Sequence, residues 1–219
     1  MEVILITGAN RGIGLELARQ YVSRGDELIA VCRHSSPELD ALGVRVIEGL
    51  DVTSAQSVAE LARQIEGVRL DRLINNAGIL ERDSLDNPGF DAVEKQFRVN
   101  SIGPLRVTAA LRGNLGSGSK VFIITSRMGS IEDNTSGGYY GYRMSKAAAN
   151  MVAKSLSVDL KDKGIGVFLL HPGYVSTDMT GNQGIPVRQC AAGLIERIDT
   201  LEIEQTGTFW HQEGYPLPW

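Results

Sequence analysis

The first part of the chain restricts the fold most strongly, because a short apolar run passes through a glycine-rich turn directly into a helical pattern. Residues 1–7 are mostly apolar and β-branched, which is typical of a buried parallel strand. Gly8, Gly12 and Gly14 follow in the pattern Gly-x-x-x-Gly-x-Gly, and a helical period begins at Leu15. Glycines let a backbone approach an anion closely, and the first N–H groups of a helix favour a phosphate. The unit therefore fits a dinucleotide, although a plain turn would also explain it.

Strand and helix patterns go on alternating along the chain. Strands are predicted near residues 2–7, 27–32, 44–48, 71–75, 119–125, 165–170 and 206–210. Helices are predicted near residues 13–23, 54–65, 88–112, 142–162 and 187–198. No linker or repeat interrupts this order, so residues 1–219 are predicted to form a single α/β domain with a parallel sheet and helices on both faces. Ligands should collect at the carboxyl ends of the strands, where the following polar residues lie: Thr7, Asp51, Asn75, Thr125 and His171.

Composition argues against several classes of protein. A chain of 219 residues with 42% hydrophobic and 22% charged residues has enough apolar side chains for a sizeable core. The net charge is −4 and the 22 Lys and Arg residues are dispersed, so no nucleic-acid or membrane partner is expected. The other apolar runs are shorter than the ~20 residues of a membrane span, and residues 1–7 leave no room for an export signal before the glycine turn.

Cysteine and histidine usage indicates neither disulfides nor a metal site. Cys32 and Cys190 show no metal-ligand spacing and are expected to be buried free thiols, which suggests a reducing cytoplasm. The three histidines share no close spacing with one another or with paired acids, so no metal is predicted. No Gly-x-Ser-x-Gly motif is present, which argues against a hydrolase on a similar sheet.

Tyr142 and Lys146 form the motif that points most directly to chemistry. They stand four residues apart before a run of good helix formers, so the phenol and the ammonium should project from one helical face. A fixed cation beside a tyrosine stabilises the phenolate and lowers a pKa that is ordinarily ~10. Such a pair suits the general acid/base catalysis of a carbonyl/alcohol couple. A solvated helix face would explain the spacing about as well, so the motif gains weight only from its surroundings.

Several motifs together, in order and spacing, resemble the short-chain dehydrogenase/reductase family over nearly the whole chain. These are the glycine turn, Asn75–Gly78, Ser126, the Tyr142/Lys146 pair and Pro172-Gly173. Residues 126–130 and 139–143 are most similar to the C-factor-like and sniffer-like carbonyl reductase branch. The resemblance implies a Rossmann-type doubly wound parallel sheet of about seven strands. It also implies a homodimer or homotetramer that uses the helices near 88–112 and 142–162.

The same resemblance assigns catalytic roles to Asn100, Ser126, Tyr142 and Lys146. Ser126 would bind the substrate carbonyl oxygen, Tyr142 would donate the proton, and Lys146 would lower the tyrosine pKa and contact the cofactor ribose. Asn100 would hold a water that links Lys146 to solvent, although a locally bent helix with a satisfied side chain is the alternative. Thr125 and Ser130 compete with Ser126 from the residues alone. Tyr139 and Tyr140 precede the same lysine but lack the four-residue spacing, so they are interpreted as pocket wall or packing.

Cofactor contacts are also implied by the resemblance, and NADP(H) is favoured over NAD(H). The predicted cofactor-binding residues are Gly8, Asn10, Arg11, Gly12, Ile13, Gly14, Arg33, Asp51, Val52, Asn76, Ala77, Gly78, Tyr142, Lys146, Pro172, Gly173, Val175 and Thr177. The second strand ends in Cys32-Arg33-His34 without the acid that NAD-dependent folds use for the ribose, and Arg33 and Arg11 could instead bind a 2′-phosphate. An exposed loop arginine is the simpler reading of each. Asp51 could equally be the N-cap of the helix at 54–65.

Two segments should shape the substrate pocket. Ser126 and Tyr142 are sixteen residues apart, further than is usual in the family, with the extra length in the polar loop 132–138. Residues 178–186 are glycine-rich and are predicted to form a mobile, incomplete lid over an open pocket, with Met179, Arg127 and Met128 as candidate liners. The predicted function is an NADP(H)-dependent oxidoreductase acting on a small carbonyl or alcohol. The alternative is a nucleotide-bound sensor or signalling protein of the C-factor-like type with incidental turnover.

Overall fold

The computed structural model describes all 219 residues, in which seven strands alternate with seven α-helices. The strands are β1 (Val3–Thr7), β2 (Glu27–Val31), β3 (Arg45–Ile47), β4 (Leu70–Asn75), β5 (Leu115–Ile124), β6 (Gly166–His171) and β7 (Phe209–His211). The α-helices are α1 (Gly12–Arg24), α2 (Pro37–Asp40), α3 (Ala55–Gln64), α4 (Phe90–Phe97), α5 (Gly103–Ala110), α6 (Tyr140–Lys161) and α7 (Val187–Thr200). All strands pair in parallel in one sheet of order β3-β2-β1-β4-β5-β6-β7. The predicted seven-stranded, doubly wound parallel sheet is confirmed.

Strands alternate their side chains between two apolar layers. Within β1, Leu5 belongs to a core beneath α3, α5 and α6, whereas Ile4 and Ile6 belong to a second core beneath α1, α2 and α7. Both sheet faces are therefore covered, which explains why the strands read as nearly continuous apolar runs. None of the helices combines the length and the apolarity that a membrane span requires.

Three elements differ from the sequence predictions. The short helix α2 was not predicted, because it begins at Pro37 behind the N-cap Ser36 and holds only four residues. The single helix predicted at 88–112 is divided into α4 and α5 by a π-helical turn at Arg98–Ile102. The last strand lies at Phe209–His211 rather than 206–210, since residues Ile203–Gln205 form a 3₁₀ turn that delays it.

The sheet changes direction between β1 and β4, and this point positions the candidate site. The chain runs outward from β1 to β3, then returns to β4 on the other side of β1 and proceeds to β7. A crevice forms outside the carboxyl ends of the strands at such a switch point. The glycine turn after β1 and the Asn75–Gly78 segment at the end of β4 meet there.

Candidate active site

The glycine turn is packed so closely that side chains are excluded from it. Gly8 and Gly12 have φ values of +68° and +55°, which favour glycine. A Cβ on Gly14 would lie 2.2 Å from the Gly8 carbonyl oxygen and 2.5 Å from Asn76 Nδ2. The Asn76 amide donates hydrogen bonds of 3.1 Å to the carbonyl oxygens of Thr7 and Gly8. The segment that follows β4 thus holds the glycine turn in shape.

A cleft of about 280 Å³ runs from this turn across the carboxyl ends of the strands. Fifteen of the predicted cofactor residues line it: Gly8, Asn10, Arg11, Gly12, Ile13, Arg33, Asp51, Val52, Asn76, Ala77, Gly78, Tyr142, Lys146, Pro172 and Thr177. Gly14, Gly173 and Val175 do not line it. Thr125, expected at the carboxyl end of its strand, also lines it, but sequence reasoning missed further liners: Cys32, His34, Leu50, Ile79, Lys95, Val99 and Ile124. Most of these are next to a predicted site residue in the sequence, so their position beside the motifs could have indicated them.

At the β2 end of the cleft, Arg33 is exposed and faces the same cavity as Asp51. Asp51 is not the N-cap of α3, because Ser54 accepts the hydrogen bond from Ser57 N that caps this helix. Asp51 instead accepts two bonds of 2.8 Å, from the amide and the hydroxyl of Thr53. The N-cap alternative for Asp51 is therefore wrong, and its carboxylate remains at the cleft.

Arg11 forms an ion pair that the sequence did not predict. Its Nη1 lies 3.1 Å from Asp178 Oδ2, and the two side chains are 59% and 74% exposed. This ion pair joins the glycine turn to the segment after β6 across the cleft. Arg11 therefore has a carboxylate partner that would compete with a 2′-phosphate, whereas no side-chain hydrogen bond engages Arg33.

Tyr142 and Lys146 share one buried face of α6, as their spacing predicts. They are 7% and 5% exposed, and Lys146 Nζ lies 5.7 Å from the centre of the Tyr142 ring. The ammonium donates a hydrogen bond of 3.0 Å to the carbonyl oxygen of Ile124, at the end of β5. Tyr140 is 40% exposed, and Tyr139 precedes the helix in a left-handed conformation with φ +51°.

Burial dominates the electrostatics of this pair. It raises the pKa of Tyr142 to about 12, with a hydrogen bond to Ser126 opposing the change. It lowers the pKa of Lys146 to about 8. The expected lowering of the tyrosine pKa by the lysine is therefore not seen in this structure: burial raises the pKa of Tyr142, and only the Ser126 hydrogen bond opposes it. At neutral pH Tyr142 is a neutral phenol and Lys146 is mostly an ammonium ion.

Ser126 is distinguished from its two competitors by its partners. Thr125 donates to Asn150 Oδ1 at 2.8 Å, and Ser130 donates to the main-chain oxygen of Trp219 at 3.0 Å. The Ser126 hydroxyl accepts from Met128 N at 3.2 Å and hydrogen-bonds the Tyr142 phenol, with an effect that lowers the tyrosine pKa. Of the three hydroxyls, only that of Ser126 is therefore paired with the catalytic tyrosine candidate.

Asn100 lies in the π-helical turn and is 1% exposed. Its amide exchanges two hydrogen bonds with the backbone of Ile79, at 2.9 and 2.8 Å, and donates a third to Ser145 Oγ at 2.9 Å. A bent helix with a satisfied asparagine is therefore what the structure contains. A π-helical turn often marks a functional position, and here it places Asn100 beside the loop that carries Gly78 and the α6 helix that carries Lys146.

Asp83 is a functional neighbour that sequence reasoning missed. Helix α6 has no cap from its own N-cap residue, Tyr139. The Asp83 carboxylate accepts hydrogen bonds from the amides of Tyr140 and Gly141, the second at 2.8 Å, and so fixes the first turn that carries Tyr142. The two segments are 57 residues apart in the chain, so no local pattern revealed the contact.

The segment after β6 is folded rather than open. Thr180 Oγ1 donates to the Val175 carbonyl oxygen at 2.6 Å, and Ile185 N donates to the Tyr174 carbonyl oxygen at 2.8 Å. Residues 178–186 therefore form a compact loop closed at its base, in contrast to the incomplete lid expected. Met179 lines the cleft, but Arg127 and Met128 do not.

The chain matches the short chain dehydrogenase family over residues 2–186. It is 44% identical to 1-hydroxy-2-glutathionyl-2-methyl-3-butene dehydrogenase of Rhodococcus sp. (strain AD45), with 100% of both chains covered. It is 43% identical to C-signal of Myxococcus xanthus over 68% of this chain and 93% of that protein.

Solved carbonyl reductases share the whole architecture. The carbonyl reductase Sniffer of D. melanogaster superposes with a TM-score of 0.90 at 30% identity, covering 100% of both chains. A carbonyl reductase from Pseudomonas aeruginosa PAO1 in complex with NADP gives 0.89 at 32% identity, also over 100% of both chains. With the glycine turn and the serine, tyrosine and lysine in place, the chain belongs to the short-chain dehydrogenase/reductase family of oxidoreductases, in its C-factor-like and sniffer-like carbonyl reductase branch.

Proposed function

We propose that the protein is an NADP(H)-dependent oxidoreductase that interconverts a carbonyl compound and its alcohol. One observation supports this most: a neutral phenol, the serine hydroxyl that hydrogen-bonds it and a buried ammonium ion converge beside the cleft that leads from the glycine turn. Each of these groups matches a need of carbonyl reduction, and a protein that only binds nucleotide would need none of them together. This argues against the sensor or signalling alternative.

The roles follow from the charges at the site. The nicotinamide would supply the hydride. Ser126 would turn its hydroxyl from Tyr142 to donate a hydrogen bond to the substrate carbonyl oxygen, while Tyr142, a phenol at neutral pH, would transfer the one proton to the developing alkoxide. The phenolate left behind would be stabilised by the Lys146 ammonium, 5.7 Å from the ring. Asn100 would serve the return of a proton from solvent to Lys146.

The glycine turn fits a dinucleotide, since it leaves no room for a Cβ on Gly14 and its helix begins without a side-chain cap. The preference for NADP(H) rests on Arg33, the exposed cation at the end of β2. The NADP complex of the Pseudomonas carbonyl reductase is consistent with it. Arg11 contributes only if its ion pair with Asp178 opens, so Arg33 carries the prediction.

The substrate end is proposed to accept a primary alcohol or the corresponding aldehyde. The Rhodococcus relative is named for a hydroxy compound that carries a glutathionyl group, and it matches this chain along its full length. A substrate of comparable size is therefore proposed, with oxidation of the alcohol as one working direction.

A homodimer is proposed through α4, α5 and α6. Exposed apolar side chains recur along the outer face of these helices: Phe97, Leu105, Met144, Met151 and Val158. The spacing of seven residues between the last three places them on one stripe of α6. Sedimentation of the protein with Met151 changed to Glu would test this interface, with monomers expected in the variant.

The catalytic assignment is tested by substituting three neighbouring tyrosines in turn. Tyr142→Phe removes only the hydroxyl, so it should lose at least the ~10²–10⁴-fold that general acid catalysis contributes while NADPH still binds. Tyr139→Phe and Tyr140→Phe are matched controls that each delete one nearby hydroxyl. NADPH consumption with a panel of aldehydes and ketones gives the readout. An active Tyr142→Phe beside an inactive control would overturn the assignment.

The cofactor preference is tested at Arg33. A charge-assisted contact contributes roughly 1.5–3 kcal/mol, and NADH lacks the 2′-phosphate that would make it. Arg33→Asp should therefore weaken NADPH binding and favour NADH. Arg112→Asp is the control and should change neither, because Arg112 is exposed and lies directly before β5, at the edge of the sheet opposite the cleft. Equal affinity of the unaltered protein for both nucleotides would contradict the proposal.

A further inference from the structure

Three side chains at the C-terminal end of the fold form a polar wall beside Ser126, which we call the tail wall: Arg127, His211 and Tyr215. The Tyr215 ring stacks on His211 with centroids 4.5 Å apart and planes at 12°. His211 Nε2 would lie 3.5 Å from a Cβ on Gly173. Arg127 Nη2 donates to the Tyr215 hydroxyl at 3.2 Å. The tail wall thus extends from the turn of the catalytic serine to the Pro172-Gly173 turn.

Arg127 has spare binding capacity in this wall. Its Nε lies 3.0 Å from Asp133 Oδ2 and its Nη2 bonds Tyr215, while Nη1 donates no hydrogen bond within the chain. The side chain is 45% exposed. Arg127 directly follows Ser126 in the chain, and its charge contributes to the lowered pKa values of His171 and His211, so the guanidinium lies near the ends of β6 and β7, next to the turn that carries Ser126.

The tail wall offers no other cation for an anionic group. Burial, followed by the charges of His211, Arg127 and Lys146, lowers the pKa of His171 to about 3. Burial also lowers the pKa of His211, where Glu213 opposes and Arg127 adds to the change. Both imidazoles are therefore neutral at neutral pH, and the field of Arg127 reaches them despite its ion pair with Asp133. A guanidinium fork is well matched to a carboxylate.

We propose that Arg127 recognises a carboxylate on the substrate, so that the preferred carbonyl or alcohol compounds are anionic at the end remote from the reacting carbon. This deepens the proposed function and rests on it. Asp133 and Tyr215 act as positioning residues that hold the guanidinium beside the turn of Ser126. A glutathionyl group, which the name of the Rhodococcus relative contains, also bears carboxylates.

The test compares two aldehydes of nearly equal shape, 4-formylbenzoate and 4-nitrobenzaldehyde, of which only the first is anionic. The measured quantity is kcat/KM for 4-formylbenzoate divided by kcat/KM for 4-nitrobenzaldehyde, both with NADPH. Arg127→Gln should lower this ratio about 10-fold. This corresponds to the lower end of the energy range of a charge-assisted hydrogen bond, because the guanidinium is partly exposed. Arg127→Lys should restore part of it, and Asp133→Asn should raise it by freeing the guanidinium. Arg112→Gln, an exposed arginine remote from the site, is the control.

A purely structural tie between Arg127, Asp133 and Tyr215 would alter both aldehydes equally and leave the ratio unchanged, which would overturn the inference while the reductase assignment stands. Should the unaltered protein reduce neither aldehyde, the proposed function fails separately. In that case calorimetric binding of 4-(hydroxymethyl)benzoate to the NADP-loaded protein decides: weaker binding by Arg127→Gln supports anion recognition, and equal binding refutes it.

Discussion

Lys146 should destabilise the fold that it serves, and replacing it by methionine should therefore stabilise the protein at neutral pH. Its side chain is 5% exposed, and burial lowers its pKa from 10.5 to about 8. This difference corresponds to about 3 kcal/mol by which the protonated form is disfavoured in the folded state. Lys146→Met removes that cost but leaves the Ile124 carbonyl oxygen without its hydrogen-bond donor, which destabilises the folded protein by about 1 kcal/mol. The net gain is about 2 kcal/mol, or roughly 4–8 °C in Tm for a chain of this size.

The pH dependence gives this prediction its sharpest form. A base whose folded pKa is depressed carries its full penalty below the folded value, about 8, and loses it as pH rises to the unfolded value, 10.5. The advantage of Lys146→Met in urea denaturation should therefore be full at pH 7 and nearly absent at pH 10.5. Lys161→Met, at the exposed end of the same helix, should gain nothing. A variant less stable than the parent at pH 7, or a gain that does not shrink with pH, would refute the reasoning.

Three further outcomes are expected. Carbonyl reduction should decrease as pH rises through about 8, because Lys146 then loses the charge that stabilises the phenolate, and a rate profile in NADPH would record it. Gly14→Ala should cost at least ~1–3 kcal/mol and weaken NADPH binding, since its Cβ would lie 2.2 Å from the Gly8 oxygen, whereas Gly113→Ala meets nothing within 4 Å and should be mild. Asp83→Ala should lower kcat and should also reduce the free energy of unfolding by the ~0.5–2 kcal/mol that a helix cap contributes. Asp83→Asn should recover part of both losses. Unchanged kinetics in both variants would contradict the role of this cap.

Much of the fold and the site could be predicted because the relevant signals are local. The strands of this sheet are buried on both faces, so each appears as an apolar run, and the glycine turn occupies consecutive positions after the first of them. Tyr142 and Lys146 were predicted to share a face from helical spacing alone, and the structure places Nζ 5.7 Å from the ring. Ser126 follows a strand end, where polar residues of parallel sheets converge.

The remaining features depend on contacts between distant parts of the chain. The ion pair of Arg11 with Asp178 joins residues 167 apart, and no pattern around either indicates it. Asp83 reaches α6 in the same non-local way. The direction of the tyrosine pKa was also not predictable, because it depends on how completely the folded protein excludes water from Tyr142. The bond from Thr180 to the Val175 carbonyl oxygen, which closes the base of the segment after β6, was not predicted either, because the glycine content of the segment does not indicate it.

The π-helical turn at Arg98–Ile102 limits how this region can change length during evolution. A π-helical turn contains one residue more than the α-helical turn it replaces, so it behaves as an accommodated insertion. Deleting that residue would give a continuous α-helix and could leave Val107 in the core, but it would remove the wide turn in which Asn100 reaches the backbone of Ile79. Insertions and deletions in descendants of this chain should therefore spare the turn that presents Asn100.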